Sequence, residues 1–324
     1  MAHIVEKEFS SPMAWIADTA LAEEGIVYLN EECLAEIEIL AKELKSNPLP
    51  AESLKPEFFS MPACEALLSG VRRQIHDGTG VAIIDRIPTH LIDDIDIGKK
   101  IYWLLLSMVG RPVAQKWDGT LLYDVKDEGG VDAAGTAIRS SKTNGDQGYH
   151  IDNAFNLPPQ VVSLLCLQTA QEGGTSGIIS FETVHNLLLK EYPDILPRLY
   201  DPFHFDRQME HAPGEVRTIS RPIFERDGDT IKTNYSPNVI YRGYEMLSGD
   251  MDQQTNAALN AIKEVAERDG IGKSLEFERG QIQILNNRRI GHRRTGYVDG
   301  PDPESRRHLV RIWLREEGRP FYLG

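Results

Sequence analysis

His150 and Asp152, two positions apart in "DQGYHIDNAFNLPP" (146–159), pair two side-chain types that hold divalent cations. An imidazole nitrogen and a carboxylate oxygen each approach such an ion to about 2.0–2.2 Å. In a strand, positions i and i+2 point to one side, so both groups can reach the same ion. The chain holds nine histidines and many aspartates, and a His-x-Asp pair arises by accident about as often as not. The pair becomes informative only with a further ligand.

Two histidines and one carboxylate on one face of a metal, with the opposite face open, form the ligand set of non-haem Fe(II) oxygenases. The second histidine has eight candidates: His3, His76, His90, His185, His204, His211, His292 and His308. His3 is near a terminus, and His76 and His90 flank an apolar strand. His185 falls on a helix, and His204 and His211 fall in irregular sequence. His292 follows "GQIQILNNRRIGH", which offers it a rigid platform. In "RRHLVRIWLR" (306–315), alternation puts Arg307, Leu309 and Arg311 on one face and His308, Val310 and Ile312 on the other. Arginines turned into a barrel are costly unless they meet anions, and a dicarboxylate would supply them through the bidentate guanidinium fork. The plainer alternative is an exposed edge strand whose arginines meet Glu316, Glu317 or water.

The elements that must position these residues follow from periodicity. Helices are expected over 30–46 with Asn30 as cap, over 62–78, and over 89–110 with Gly110 just past the end. "GVAIIDRIP" (80–88) reads as a buried strand. From about Pro112 short β-prone runs alternate with turn signals: "GTLLYDV", "GYHID", "QVVSLLCLQTA", "TSGIISF", "GQIQILNN" and "RHLVRIWLR". Between Glu182 and Lys273 lie helices near "TVHNLLLKEY" and "DQQTNAALNAIKEVAERDG", which read as an insertion into the β core.

Composition narrows the partners. The chain has 324 residues, 41% hydrophobic and 26% charged, with net charge −14. That balance argues against nucleic acid or an anionic membrane as the main partner. Nine arginines nevertheless lie between Asn286 and Arg319, and most read as a solvated face. Three separated cysteines argue against a disulfide framework or a structural zinc site. No basic segment followed by an apolar run opens the chain, and no apolar stretch is long enough to span a bilayer. A cytoplasmic setting fits, and a homo-oligomer is compatible with it.

The ordered set His150-Ile151-Asp152, "PP" at 158–159, "EGGTSG" at 172–177, "LNNRRIGHRRTGY" at 285–297 and "RRHLVRIWLR" at 306–315 resembles the taurine-dioxygenase-like (TauD/TfdA) family. The resemblance runs from about Arg111 to Arg315. It implies a mainly β fold with flanking helices around a double-stranded β-helix, or jelly-roll, cupin-like core. As one domain over 1–324, this would comprise a mostly helical part (1–110), the core (111–182 and 274–315) and an insertion shaping the substrate pocket (183–273). It implies the cofactors Fe(II), 2-oxoglutarate and O2, with a metal triad of His150, Asp152 and His292. The family arginine on the far carboxylate of 2-oxoglutarate matches Arg307, and the arginine near its chelating end matches Arg311. A hydroxyl on the far carboxylate falls on Ser176, with Thr175 as the alternative, because Thr175 stands where the family has Asp. A carboxylate at 152 implies hydroxylation, desaturation or cyclisation over halogenation, which uses a small residue there. The substrate implied is a small polar or acidic molecule, such as an amino-acid derivative or natural-product intermediate. Candidate substrate contacts are Asn153, Phe155, Asn156, Asn234, Tyr235, Asn238 and Arg242. A zinc hydrolase would use the same ligands but would need a general base and no Arg307. A non-catalytic β-sandwich binding protein would need no intact ligand set.

Overall fold

The computed structural model describes residues 4–20, 25–129, 140–247, 249 and 251–323. His3 lies outside the described residues. Helix Glu31–Ser46 starts where Asn30 accepts a hydrogen bond from the Cys33 N–H at 2.8 Å. It buries Cys33, Ile37, Leu40, Ala41 and Leu44, one stripe at helical spacing. Helix Pro62–His76 does the same with Cys64, Leu68, Val71 and Ile75. The single helix expected over 89–110 is instead two, Thr89–Ile92 and Ile95–Val109. The Asp94 carboxylate accepts hydrogen bonds from the N–H groups of Asp96 and Ile97, which begins a new helix there.

These helices cover one face of a seven-stranded sheet. Its order is Ile26–Tyr28, Val81–Asp85, Ile282–Asn286, Val161–Gln168, His308–Leu314 and Pro112–Val113, with Tyr123–Val125 also paired to His308–Leu314. The sheet is mixed, because its first pair is parallel and the others are antiparallel. Strands Ile26–Tyr28 and Val81–Asp85 come from the first third of the chain, so helical and β parts are joined in one sheet. "GTLLYDV" forms a strand only over Tyr123–Val125.

A second sheet orders Lys273–Leu275, Ser176–Ser180, Ile290–Arg294 and Gln147–His150. Val162, Leu285 and Trp313 of the large sheet share one apolar cluster with Ile178 and Ile290 of the small one, so the two sheets face each other as in a jelly roll. The segment 183–273 packs on the outer face of the small sheet, where Ile179, Phe181 and Tyr149 join Phe203, Phe205 and Ile262. Alternation along His308–Leu314 sorts the layers. Val310, Ile312 and Leu314 meet the helices, whereas Trp313 joins the cluster between the sheets and Leu309 packs with Tyr123, Val125 and Cys166. The strand is paired on both sides, which removes the exposed-edge alternative.

Candidate metal centre and co-substrate site

Strand register brings the two histidines together. His292 is directly opposite His150 on one side and Ile178 on the other. Their rings lie 4.3 Å apart between centroids. Nδ1 of His150 lies 2.9 Å from the Gly148 carbonyl. That contact places a proton on Nδ1 and leaves the Nε2 lone pair for a cation. The Gln147 amide nitrogen stands 3.0 Å from the same Nε2 and is the group an ion would displace.

The strand ends at His150, so Asp152 is not placed by strand alternation as the sequence suggested; it lies in the following turn. Asn287 holds it there. Its side-chain oxygen accepts from the Asp152 N–H at 2.8 Å, and its amide donates to the Asp152 carbonyl at 3.0 Å and the Pro159 carbonyl at 3.1 Å. The two carboxylate oxygens then have different surroundings. Oδ2 accepts from the Trp313 indole at 2.7 Å and lies 3.0 Å from Arg311 Nη1. Oδ1 stands 3.7 Å from Nε2 of His150 and 3.7 Å from Nε2 of His292.

The ligand atoms of His150, Asp152 and His292 lie within 4.8 Å of one another. Neighbouring ligands at about 2.1 Å from an ion lie roughly 3 Å apart, so closing onto one requires shifts of under about an ångström. Protonation also suits a cation. Burial pushes the His292 pKa down to about 3, helped by His150, and burial likewise lowers that of His150. For Asp152 burial acts upward, but the permanent charge of Arg311 and the hydrogen bond from Trp313 outweigh it and hold the pKa at about 2. Two neutral imidazoles and one carboxylate are the forms that bind metal. These residues therefore fit a divalent ion.

Beyond the triad lies a second charged group. Arg307 is 5% exposed, and its Nη1 has no hydrogen-bond partner. Arg294, which the sequence reading did not single out, is 6% exposed, and its Nε is likewise buried without one. Both guanidiniums lie over the Tyr297 ring, at 5.1 and 4.8 Å from its centroid. Burial lowers the pKa of Arg294 to about 10, and Arg307 adds to the shift. No carboxylate among the described residues forms an ion pair with either arginine. An unpaired buried cation costs several kcal/mol, so this arrangement suits a bound anion. Ser176, buried, is directly opposite Arg294 and by alternation shares the inward face of Ile178. Thr175 is only half-buried, and its N–H is held by the Thr295 hydroxyl.

His150 and Asp152 line a pocket to which Asn153, Phe155, Gln208, Asn238 and Arg242 also contribute. Asn156 and Tyr235 do not line it, contrary to expectation. Asn156 is bonded to Arg207, the Glu210 carbonyl and Tyr322, and thereby anchors the turn that presents Gln208. Tyr235 faces an adjoining cavity. Asn234 is fully buried and bonded to Pro222 and Glu225. Gln208, at φ +49°, escaped the sequence reading, because no motif marks a left-handed glutamine. Of the other candidate histidines, His185 contacts Tyr200, His204 Ser220, His211 Ala212, His308 Asp124, His90 Glu38 and His76 Glu316.

The family model described as taurine catabolism dioxygenase TauD, TfdA family matches residues 45–313. The chain belongs to this family, and with it to the Fe(II)- and 2-oxoglutarate-dependent oxygenases. It is 27% identical to FR-33289 synthase of Streptomyces rubellomurinus over 99% of this chain and 94% of that one. It is 26% identical to the taurine hydroxylase-like protein SAT17 of Stachybotrys chartarum over 94% of this chain and 79% of that protein. In fold it is similar to asparagine oxygenase in complex with Fe(II), 2S,3S-3-hydroxyasparagine and succinate, with TM-score 0.62, 17% identity and coverage of 90% and 93%. It is also similar to the non-haem iron oxygenase OrfP in complex with Fe and alpha-ketoglutaric acid, with TM-score 0.62, 15% identity and coverage of 90% and 94%. No helix among the described residues is long and apolar enough to cross a membrane.

Proposed function

We propose that His150, Asp152 and His292 hold the Fe(II), that Arg307 and Ser176 hold the far carboxylate of 2-oxoglutarate, and that the enzyme hydroxylates a small polar or acidic molecule. The observation that carries this reading is the carboxylate oxygen Oδ1 of Asp152, equidistant from two neutral imidazoles beside a pocket that Asp152 itself lines. When bound, iron and 2-oxoglutarate supply the oxidising power that opens a C–H bond, with release of succinate and CO2. The chain's own part is to orient and to exclude water. Arg242, 7% exposed on the helix Pro237–Met246, places a cation in the pocket wall. Gln208 and Asn238 add amides that bond either a polar or an acidic group. The test is succinate release on addition of Fe(II), 2-oxoglutarate and a panel of small acids and amino-acid derivatives. No member triggering release above the uncoupled rate, with Fe(II) bound, would count against this substrate class.

Two variants separate the pocket from the co-substrate site. With a substrate from that panel, Arg242→Gln is expected to raise its KM roughly thirtyfold or more, with the KM for 2-oxoglutarate unchanged. Equal KM values in both proteins would remove Arg242 from substrate recognition. Gly174 has φ +72°, and a Cβ there would stand 3.2 Å from Nε of Arg307. Gly174→Ala is therefore expected to raise the KM for 2-oxoglutarate about tenfold, the equivalent of ~1.4 kcal/mol, at unchanged Fe(II) affinity. An iron titration beside the kinetics checks both halves.

A further inference from the structure

We infer that Trp313, acting with Arg311, is a positioning residue that holds Asp152 to ligation through one oxygen, and so keeps open the positions a 2-oxo acid and dioxygen require. The inference rests on the metal-site reading above and adds a role that the ligand motif does not contain.

A carboxylate can bind a metal through one oxygen or both. Which it does depends on what else its oxygens meet. Here Oδ2 is engaged by the Trp313 indole at 2.7 Å and by Arg311 Nη1 at 3.0 Å, while Oδ1 alone faces the histidines. One of the two donors carries a permanent charge, so turning Oδ2 toward a cation would break a charge-assisted pair in a buried site.

The lock is itself fixed. Arg311 Nε donates to the Gln115 side-chain oxygen at 2.8 Å, and the Gln115 amide donates to the carbonyls of Arg311 and Leu121, both at 2.7 Å. The guanidinium lies 4.8 Å from the Tyr123 ring centroid and 5.0 Å from that of Trp313. Arg311 and Trp313 are two apart on one strand and share its inward face, so a single backbone segment aims both donors.

The consequence is arithmetic. Three single-atom protein ligands would leave three positions on a six-coordinate ion. A chelating 2-oxo acid would take two and leave one. An Asp152 bound through both oxygens would take a fourth position and compete with the 2-oxo acid. The resemblance assigns Arg311 to the chelating end of the co-substrate. The contact made here adds a second role, with Nη1 on Asp152 Oδ2 at 3.0 Å.

The test replaces Trp313 by 3-benzothienylalanine, which keeps the ring shape and substitutes sulfur for the indole N–H, with Trp313→Phe as a second variant. Fe(II) affinity is measured anaerobically by competition with a chromophoric chelator. 2-Oxoglutarate binding to the iron-loaded protein is followed by the visible charge-transfer absorption of the chelate. The expected result is Fe(II) affinity held within about threefold, 2-oxoglutarate affinity reduced by about tenfold or more, and a weakened charge-transfer band. A purely packing role would leave the isosteric variant unchanged in all three, which would overturn the inference. A parallel loss of iron and 2-oxoglutarate affinity would also overturn it, because that marks a carboxylate merely loosened. Asp152→Ala is run alongside. Unchanged iron affinity in that variant would instead overturn the metal-site reading.

Discussion

Replacing His292 with alanine is expected to abolish Fe(II) binding and leave the fold standing. The imidazole supplies one of the three donor atoms that converge among the described residues. Its Nδ1 is buried and has no hydrogen-bond partner, so truncation strands no polar group that was previously paired. The strand pairs with both neighbours through its backbone, which the substitution does not touch. An iron titration with circular dichroism on the same sample measures both outcomes. His150→Ala should behave alike, because the two histidines enter the site from neighbouring strands. Retained iron affinity in the His292 variant would sink the assignment. It would send attention to His204 and His211, although both point to partners elsewhere.

The second large effect is expected at Arg307. Arg307→Ala should raise the KM for 2-oxoglutarate by the equivalent of about 2–5 kcal/mol, the cost of removing one partner from a desolvated charge pair. Arg307→Lys should recover only part of it. Lysine keeps the charge but lacks the planar fork, and it would not lie over the Tyr297 ring as the guanidinium does. The readout is co-substrate affinity of the iron-loaded protein, with iron affinity as the control. An unchanged KM in Arg307→Ala would mean that the anion binds elsewhere, and Arg294 is the neighbouring buried cation to test next.

Each candidate site residue was legible to the degree that its position follows from local chemistry. Asn30 caps its helix because its side chain reaches an N–H three residues on. Arg311 turns between the sheets because strand alternation is a short-range rule, and the same rule sends Val310 and Ile312 to the helices. The break at Asp94 does not show in the periodicity, although an aspartate before a helical turn is a cap signal. The apolar run on either side masked it.

What the sequence by itself determined was the inventory: a His-x-Asp pair, a platform strand carrying His292, an arginine strand with the right parity, and the order of these along the chain. The tertiary structure decided which groups meet. His150 and His292 are neighbours because strands 142 positions apart pair in one register, and no local pattern encodes that offset. Asp152 offers one oxygen because Trp313 and Arg311, far away in sequence, occupy the other. Asn153 and Asn156 look alike as polar neighbours of the motif, yet one lines the pocket and the other is consumed in anchoring a turn. Donor types and side-chain faces follow from covalent chemistry and backbone alternation. The partner of each donor depends on long-range register and packing, which a single sequence does not display.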